Sequence, residues 1–303
     1  MKKKILITGS NGLLGQKLVN LLLPNADVEL LATSRGENKL AAVYPQLTFV
    51  SLDVTNPDEV QQVVATHQPT HIIHTAAMTN VDECEVNRDA CWKLNVDAVA
   101  YLVKAAEENN VHFTHLSTDF IFDGSAGPYD EEAAANPISY YGESKLAAEE
   151  LVKQSSASWA IVRTVLVYGI VHDYGRSNIV LWVKNSLESK KPIKVVDDQF
   201  RTPTLAEDLA LGCWLIADQD AEGVFNISSK ELVTPYDMAL QVADYFKLDT
   251  SYITRADASS FTQTAKRPAR TGFIITKAEE QLGFRPHTFT EGIAVVASQL
   301  PLS

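Results

Sequence analysis

Basic residues are scarce. Twenty-six lysines and arginines stand against 38 aspartates and glutamates, a net charge of −12. So acidic a chain has no overall field with which to grip a nucleic-acid polymer or an anionic membrane. Cysteine is scarcer still, at three residues. Cys84, Cys91 and Cys213 cannot make a disulfide framework and read as reduced thiols of a cytoplasmic protein. No apolar run reaches the roughly 18 residues of a membrane span. Met1 to Lys4 followed by Ile5, Leu6 and Ile7 begins like a signal peptide, but Thr8, Gly9, Ser10 and Asn11 end the apolar stretch too early. Internal repeats and low-complexity tracts are missing as well. What is present, 46% hydrophobic and 21% charged residues over 303 positions, suffices for a large core without covalent staples.

Short apolar, β-branched runs recur at Ile5–Ile7, Val28–Ala32, Leu47–Leu52, Ile72–Ile73, Phe113–Leu116 and Ala160–Val167. Most are apolar throughout, as strands buried on both faces of a parallel sheet must be. Amphipathic stretches lie between them: Leu14, Leu18, Leu21 and Leu22 share one helical face, and so do Val60, Val63 and Val64. Strand and helix in alternation predict an α/β fold with a doubly wound parallel sheet, whose ligands bind at the carboxyl ends of the strands. The alternation weakens after Gly169. Tyr174–Pro192 reads as a loop and a helix, Leu205–Ala217 and Thr234–Phe246 as further helices, and Val224–Ile227 as a strand returning to the main sheet. The expected division is a dinucleotide-binding domain over 1–170, completed by a strand near 223–228, and a smaller interleaved domain over 171–303.

The first strand runs into Thr8-Gly9-Ser10-Asn11-Gly12-Leu13-Leu14-Gly15. Glycines at three-residue spacing between a strand and a helix let backbone N–H groups approach a pyrophosphate, and the helix N-terminus adds partial positive charge. Gly9, Asn11, Gly12, Leu13, Leu14 and Gly15 are therefore candidate cofactor residues. The second strand ends in Ser34-Arg35 with no carboxylate until Glu37. Arg35 suits a 2′-phosphate and Ser34 can donate to it, which favours NADP(H) and leaves NAD(H) as the lesser option. The other reading of Arg35 is a solvated loop charge. Tyr141 and Lys145, four apart, stack on one helical face, where an ammonium would lower the phenol's pKa towards general acid–base use. Ser117 and Thr118, at the end of the fifth strand, can bond the same oxygen that Tyr141 protonates.

These motifs resemble the extended short-chain dehydrogenase/reductases, a Rossmann-type superfamily, and within it the dTDP-4-dehydrorhamnose reductase branch. The resemblance rests on Thr8-Gly9-x-x-Gly12-x-x-Gly15, Ala76 to Glu85, Ser117 to Gly124, Tyr141-Gly142-x-x-Lys145-Leu146-x-x-Glu149, and Arg163-Thr164-x-x-Val167-Tyr168-Gly169. It is dense up to about residue 170 and thinner after, as at Asp198-Gln199 and Pro203-Thr204. It implies an NADPH-dependent oxidoreductase acting on a nucleotide-linked 4-keto sugar, with Thr118, Tyr141 and Lys145 as the catalytic set. Asp53 and Val54 would meet the adenine, Ala76, Ala77 and Met78 would line the cofactor, and Asn95 would be a structural or proton-relay asparagine. Lys145 would bond the nicotinamide ribose. The implied partners are a nucleotide sugar and a second copy of the chain, with no nucleic-acid polymer and no membrane.

Related dehydratases carry Thr-Asp-Glu, with the glutamate as base; here Phe120 follows Asp119 and cannot take a proton. Two departures bear on the substrate. Leu166 stands where the reductases often have a tryptophan, and Arg201 replaces a glycine. Thr118, Phe120, Arg201 and Arg267 are the candidate substrate residues. Arg267 belongs to a basic stretch, Arg255 to Arg285, that would hold a sugar diphosphate or else balance an acidic surface. Two rival readings are a non-catalytic dinucleotide-binding regulatory subunit, and an epimerase or other oxidoreductase on another nucleotide sugar. No metal site is expected, because His71/His74 and His112/His115 sit three apart on strands and point to opposite faces. Trp159, Trp182 and Trp214 read as core, and nothing in the sequence suggests activation of Cys84 or Cys91.

Overall fold

A computed structural model describes residues 2–172 and 178–300. In chain order the first part is β1 (Lys3–Thr8), α1 (Leu13–Leu22), β2 (Val28–Ser34), β3 (Thr48–Ser51), α2 (Pro57–His67), β4 (His71–His74), α3 (Val81–Val86), α4 (Arg88–Trp92), α5 (Ala98–Asn109), β5 (His112–Thr118), α6 (Tyr140–Lys153) and β6 (Trp159–Thr164). The remainder is β7 (Val167–Tyr168), α7 (Ile179–Glu188), β8 (Ile193–Val196), β9 (Thr204–Leu205), α8 (Ala206–Asp218), β10 (Gly223–Asn226), α9 (Pro235–Phe246), β11 (Ile253–Ala256), α10 (Thr276–Gln281) and α11 (Phe289–Ser298). Residues 174–177 of the expected 174–192 loop and helix lie outside the described residues, whereas α7 falls inside that span. Among the described residues no helix is long and apolar enough to cross a membrane.

Seven strands form one parallel sheet in the order β10-β6-β5-β4-β1-β2-β3. The pleat sorts their apolar residues between two layers. Ile5, Ile7, Leu30, Ala32, Ile73 and Val162 face α1 and α8. Leu6, Leu31, Ile72 and Ile161 face α2, α5 and α6. This two-sided burial is why the strands are apolar at nearly every position. The strand order reverses at β1, which pairs with β2 on one side and β4 on the other, so the loops leaving β1 and β4 diverge and open a crevice between them.

The returning strand is present: β10 adds to the edge of the sheet beside β6. Packing does not follow a cut at residue 170. Leu209, Ala210, Cys213 and Ile216 of α8, with Phe273, Ile275 and Phe284, join the core of the main sheet. A separate core forms from α7, β8, α9, β11 and α11 around Tyr168 and Leu205. The run Ala160–Val167 is also not one strand. β6 ends at Thr164, Leu166 turns left-handed at φ 39°, and β7 pairs with β9 instead. Thr204 makes that break, its hydroxyl donating to the Val165 carbonyl at 2.7 Å.

Candidate active site

The carboxyl edge of the sheet opens into a cleft of about 630 Å³ lined by the loops at the strand ends, by Leu209 of α8 and by Arg267. One end is the glycine loop. Gly9 is left-handed at φ 71°, and a side chain on Gly15 would collide with the Gly9 carbonyl, so the loop folds back on itself only without Cβ atoms. No side chain caps the N-terminus of α1 at Gly12, which leaves its first amides facing the cleft. The buried Ser10 hydroxyl, also in this loop, has no hydrogen-bond partner. Gly9, Gly12, Leu13, Leu14, Ser34, Arg35, Asp53, Val54, Ala76 and Ala77 all line the cleft. An open helix N-terminus backed by an arginine is a fitting cradle for a dinucleotide phosphate chain.

The other predicted cofactor residues sit one layer back. Asn11 braces the loop after β2, its side-chain amide donating to the Glu37 carbonyl at 2.9 Å. Gly15 is needed for close packing. Asn95, on a π-helical turn over Lys93–Asp97, grips Met78 at both ends: its Oδ1 accepts from Met78 N at 2.8 Å and its Nδ2 donates to Met78 O at 3.1 Å. The same Nδ2 reaches Ser144 Oγ at 3.1 Å. Asn95 thus ties the loop after β4 to the first turn of α6, a supporting position and not a cleft contact.

Thr118, Phe120, Tyr141 and Lys145 converge on the middle of the cleft. α6 begins where Ser139 caps the Gly142 amide, and this sets Tyr141 in the first turn. The phenol ring meets Phe120 edge-on at 5.7 Å. The sequence predicts a phenol acidified by Lys145; the structure shows the opposite balance. Burial pushes the Tyr141 hydroxyl well above its ordinary range, the Thr118 hydroxyl pulls only partly against it, and the Asp119 charge adds to the rise. Tyr141 holds its proton. Thr118 donates to Asp119 Oδ1 at 3.1 Å and accepts from the Phe120 amide at 3.2 Å.

Lys145 is 3% exposed, and burial lowers its ammonium to about 8. The unfolded chain then binds this proton more tightly than the folded one, so the group costs stability below about pH 8. The cost fades as pH rises towards the ordinary lysine value. Lys145→Met is therefore expected to stabilise the fold at pH 7 by on the order of 2–3 kcal/mol, a few degrees in Tm. Thermal melts at pH 7 and pH 10 check this, with most of the gain gone at pH 10.

The substrate candidates divide. Arg267 lines the cleft, where Asp82 of α3 holds its guanidinium at 2.6 Å. Arg201 does not reach the cleft. It is 5% exposed and its guanidinium is spent on the carbonyls of Phe200 and Pro268, with Asp119 at 3.7 Å. Its cation stitches residues 268–269 to the 199–204 loop, so the position replaces backbone flexibility with a clamp. The basic stretch around Arg267 disperses in the same way. Arg255 faces Asp197, Arg285 faces Glu279, and Lys277 donates to the Val224 carbonyl.

Several lining residues are not among the site residues named from the sequence: Leu52, Thr75, Thr79, Val81, Leu94 and Leu209. Leu52 and Thr75 directly follow β3 and β4, Val81 opens α3, Leu94 lies on the π-helical turn and Leu209 on α8, and their convergence is visible only once the topology is known. Trp182 is half exposed on α7 and not core. Cys84 and Cys91 are both fully buried; Cys91 Sγ donates to Ser144 Oγ at 3.5 Å and accepts from Asn95 Nδ2 at 3.3 Å, and so serves the packing behind Tyr141. Among the described residues no group of histidine, cysteine and carboxylate side chains is arranged to hold a metal.

Comparison with known proteins places this geometry. dTDP-4-dehydrorhamnose reductase of Aggregatibacter actinomycetemcomitans is 32% identical over 298 residues, 93% of this chain and 94% of that protein. Methionine adenosyltransferase 2 subunit beta of Danio rerio is 31% identical over 88% of this chain and 81% of that protein. The crystal structure of dTDP-4-dehydrorhamnose reductase from Bacillus anthracis in complex with NADP superposes at a TM-score of 0.87 and 28% identity, covering 99% of this chain and 100% of that one. The family model described as RmlD substrate binding domain matches residues 2–301, and the chain belongs to that family.

Proposed function

We propose that the chain is an NADPH-dependent reductase of a nucleotide-linked 4-keto sugar, with dTDP-4-dehydrorhamnose as the expected substrate. The carrying observation is the convergence of Thr118, Tyr141 and Lys145 on one cleft that continues to the glycine loop and Arg35. Bound NADPH would supply the hydride that reduces the sugar ketone. The chain's own residues do the rest. The amides of α1 and the Arg35 and Ser34 side chains would hold phosphate, and Lys145 would bond the nicotinamide ribose. Tyr141 gives its proton to the ketone oxygen, and the carbonyl becomes a hydroxyl. Burial keeps the phenol protonated, which is the form a donor needs, while making it a weaker acid than an exposed one. Phe120 offers no base for elimination, and Arg267, which lines the cleft beside Asp82, would meet a sugar diphosphate.

The test is NADPH oxidation by the purified chain, followed by absorbance, with a panel of nucleotide-linked keto sugars. Turnover with dTDP-4-dehydrorhamnose supports the full reading, and turnover with another sugar keeps the chemistry and rejects the substrate. NADPH binding without turnover on any sugar would move the reading to a non-catalytic dinucleotide-binding subunit; the Danio rerio relative is named as a subunit, the beta subunit of methionine adenosyltransferase 2. The cofactor choice has its own test. Arg35→Ala is expected to weaken NADPH binding about ten- to a hundred-fold and NADH binding less than about two-fold. Titration of both nucleotides checks this, and an unchanged preference would remove the phosphate role.

A further inference from the structure

Two buried histidines lie under the catalytic lysine. His74 ends β4 and His115 lies on β5, paired across the strands with rings stacked at 5.7 Å. Their polar contacts differ. His74 Nδ1 meets the Thr8 hydroxyl at 2.7 Å. His115 Nε2 lies 3.1 Å from Lys145 Nζ, and His115 Nδ1 has no partner. An ammonium has donors only, so Nε2 is the acceptor and the ring proton sits on Nδ1, where nothing receives it. Burial keeps the ring neutral, and the Lys145 charge acts in the same direction. An unpaired buried donor is a standing cost, and the contact with Lys145 is what this ring gives in exchange.

The choice of acceptor has a chemical consequence. Lysine is the side chain least able to fix its own tip, and a catalytic group must be held within about half an ångström. Glu149, the carboxylate one turn further along α6, hydrogen-bonds Arg163 and not Lys145. A carboxylate on Nζ would hold the ammonium but cancel its field. A neutral imidazole holds it and leaves the positive charge free to act on the cleft. We propose that His115 is a positioning residue for reduction: its Nε2, fixed by β5, receives the Lys145 ammonium and aims it into the cleft without neutralising it.

The effect on turnover rests on the reductase reading; the placement of Lys145 can be read without it. His115→Phe is expected to lower kcat about thirty-fold with the KM for the sugar within about two-fold, and to weaken NADPH binding about five-fold. His115→Gln keeps an acceptor near Nε2 and should restore kcat to within about three-fold of the parent. A cycle on NADPH affinity, by nicotinamide fluorescence, decides whether the effect passes through Lys145. In a Lys145→Met background, adding His115→Phe should change affinity less than about two-fold. Equal losses in the Phe and Gln variants, or effects that multiply in the cycle, would overturn the proposal. If His115→Phe does not fold, His115→Met fills similar space without the acceptor and takes its place. If the parent reduces no keto sugar, the reductase reading fails alone, and the NADPH cycle still decides the role of His115.

Discussion

Tyr141→Phe is expected to cut kcat about a thousand-fold while leaving NADPH affinity within about three-fold and the fold intact. The change removes one oxygen from a ring whose apolar contacts, with Phe120 and the Cys84–Cys91 cluster, remain. What it takes away is the proton for the sugar ketone. Nothing else at the cleft replaces it. Asp119 lines the cleft and burial raises its carboxyl, which would make it a candidate acid. Both of its oxygens are occupied, however: Oδ1 accepts from Thr118, and Oδ2 accepts from Thr271. The Lys145 ammonium has its donors assigned to His115 and, on the proposed reading, to the nicotinamide ribose. Thr118 is held between Asp119 and the Phe120 amide and is no acid of its own. Thr118→Ala should consequently cost far less, about ten-fold, because the proton donor stays in place. Steady-state kinetics on the two variants separate the roles. A Tyr141→Phe enzyme within ten-fold of the parent would remove Tyr141 as the acid.

The main sheet was legible because burial on both faces writes itself into sequence as unbroken apolar runs. Ile5–Ile7, Val28–Ala32 and Phe113–Leu116 each sit inside a strand. The glycine loop and the Tyr141–Lys145 pair were legible because each is local, a turn or one helical face. Features that depend on distant partners were not. The break at Leu166 is made by Thr204, forty residues from Thr164. Arg201 reads as a free cation until the carbonyls of Phe200 and Pro268 are seen around it. The rise in the Tyr141 pKa comes from burial, which a four-residue spacing does not encode. His115 reads as one more buried strand residue until α6 is laid across β5 and brings Lys145 to its ring.

Glu149→Leu should be the most damaging substitution outside the cleft, at about 3–5 kcal/mol. Glu149 is fully buried on α6 and Arg163 is 3% exposed on β6. They meet through two bonds, Nε to Oε1 at 3.0 Å and Nη2 to Oε2 at 2.7 Å. Arg163 also donates to the Glu131 carbonyl at 3.0 Å, so the pair ties the catalytic helix to the sheet and to the loop before it. Removing the carboxylate leaves a guanidinium in the interior with one carbonyl for a partner, and that orphaned charge is the source of the cost. A buried pair need not be worth much against an apolar one of similar shape. The double variant Glu149→Leu with Arg163→Met is therefore expected to recover more than half of the loss, which urea unfolding of both variants measures. Burial alone would raise the Glu149 carboxyl, but the Arg163 hydrogen bond and charge hold it below its ordinary value. A carboxyl lowered in the folded state adds stability above its unfolded pKa and loses it as pH falls through the folded one. The parent should thus lose stability below about pH 4.5 more steeply than the double variant, whose apolar pair has no proton to gain. Parallel pH slopes for the two proteins would show that the pair is not the acid-sensitive tie between α6 and β6.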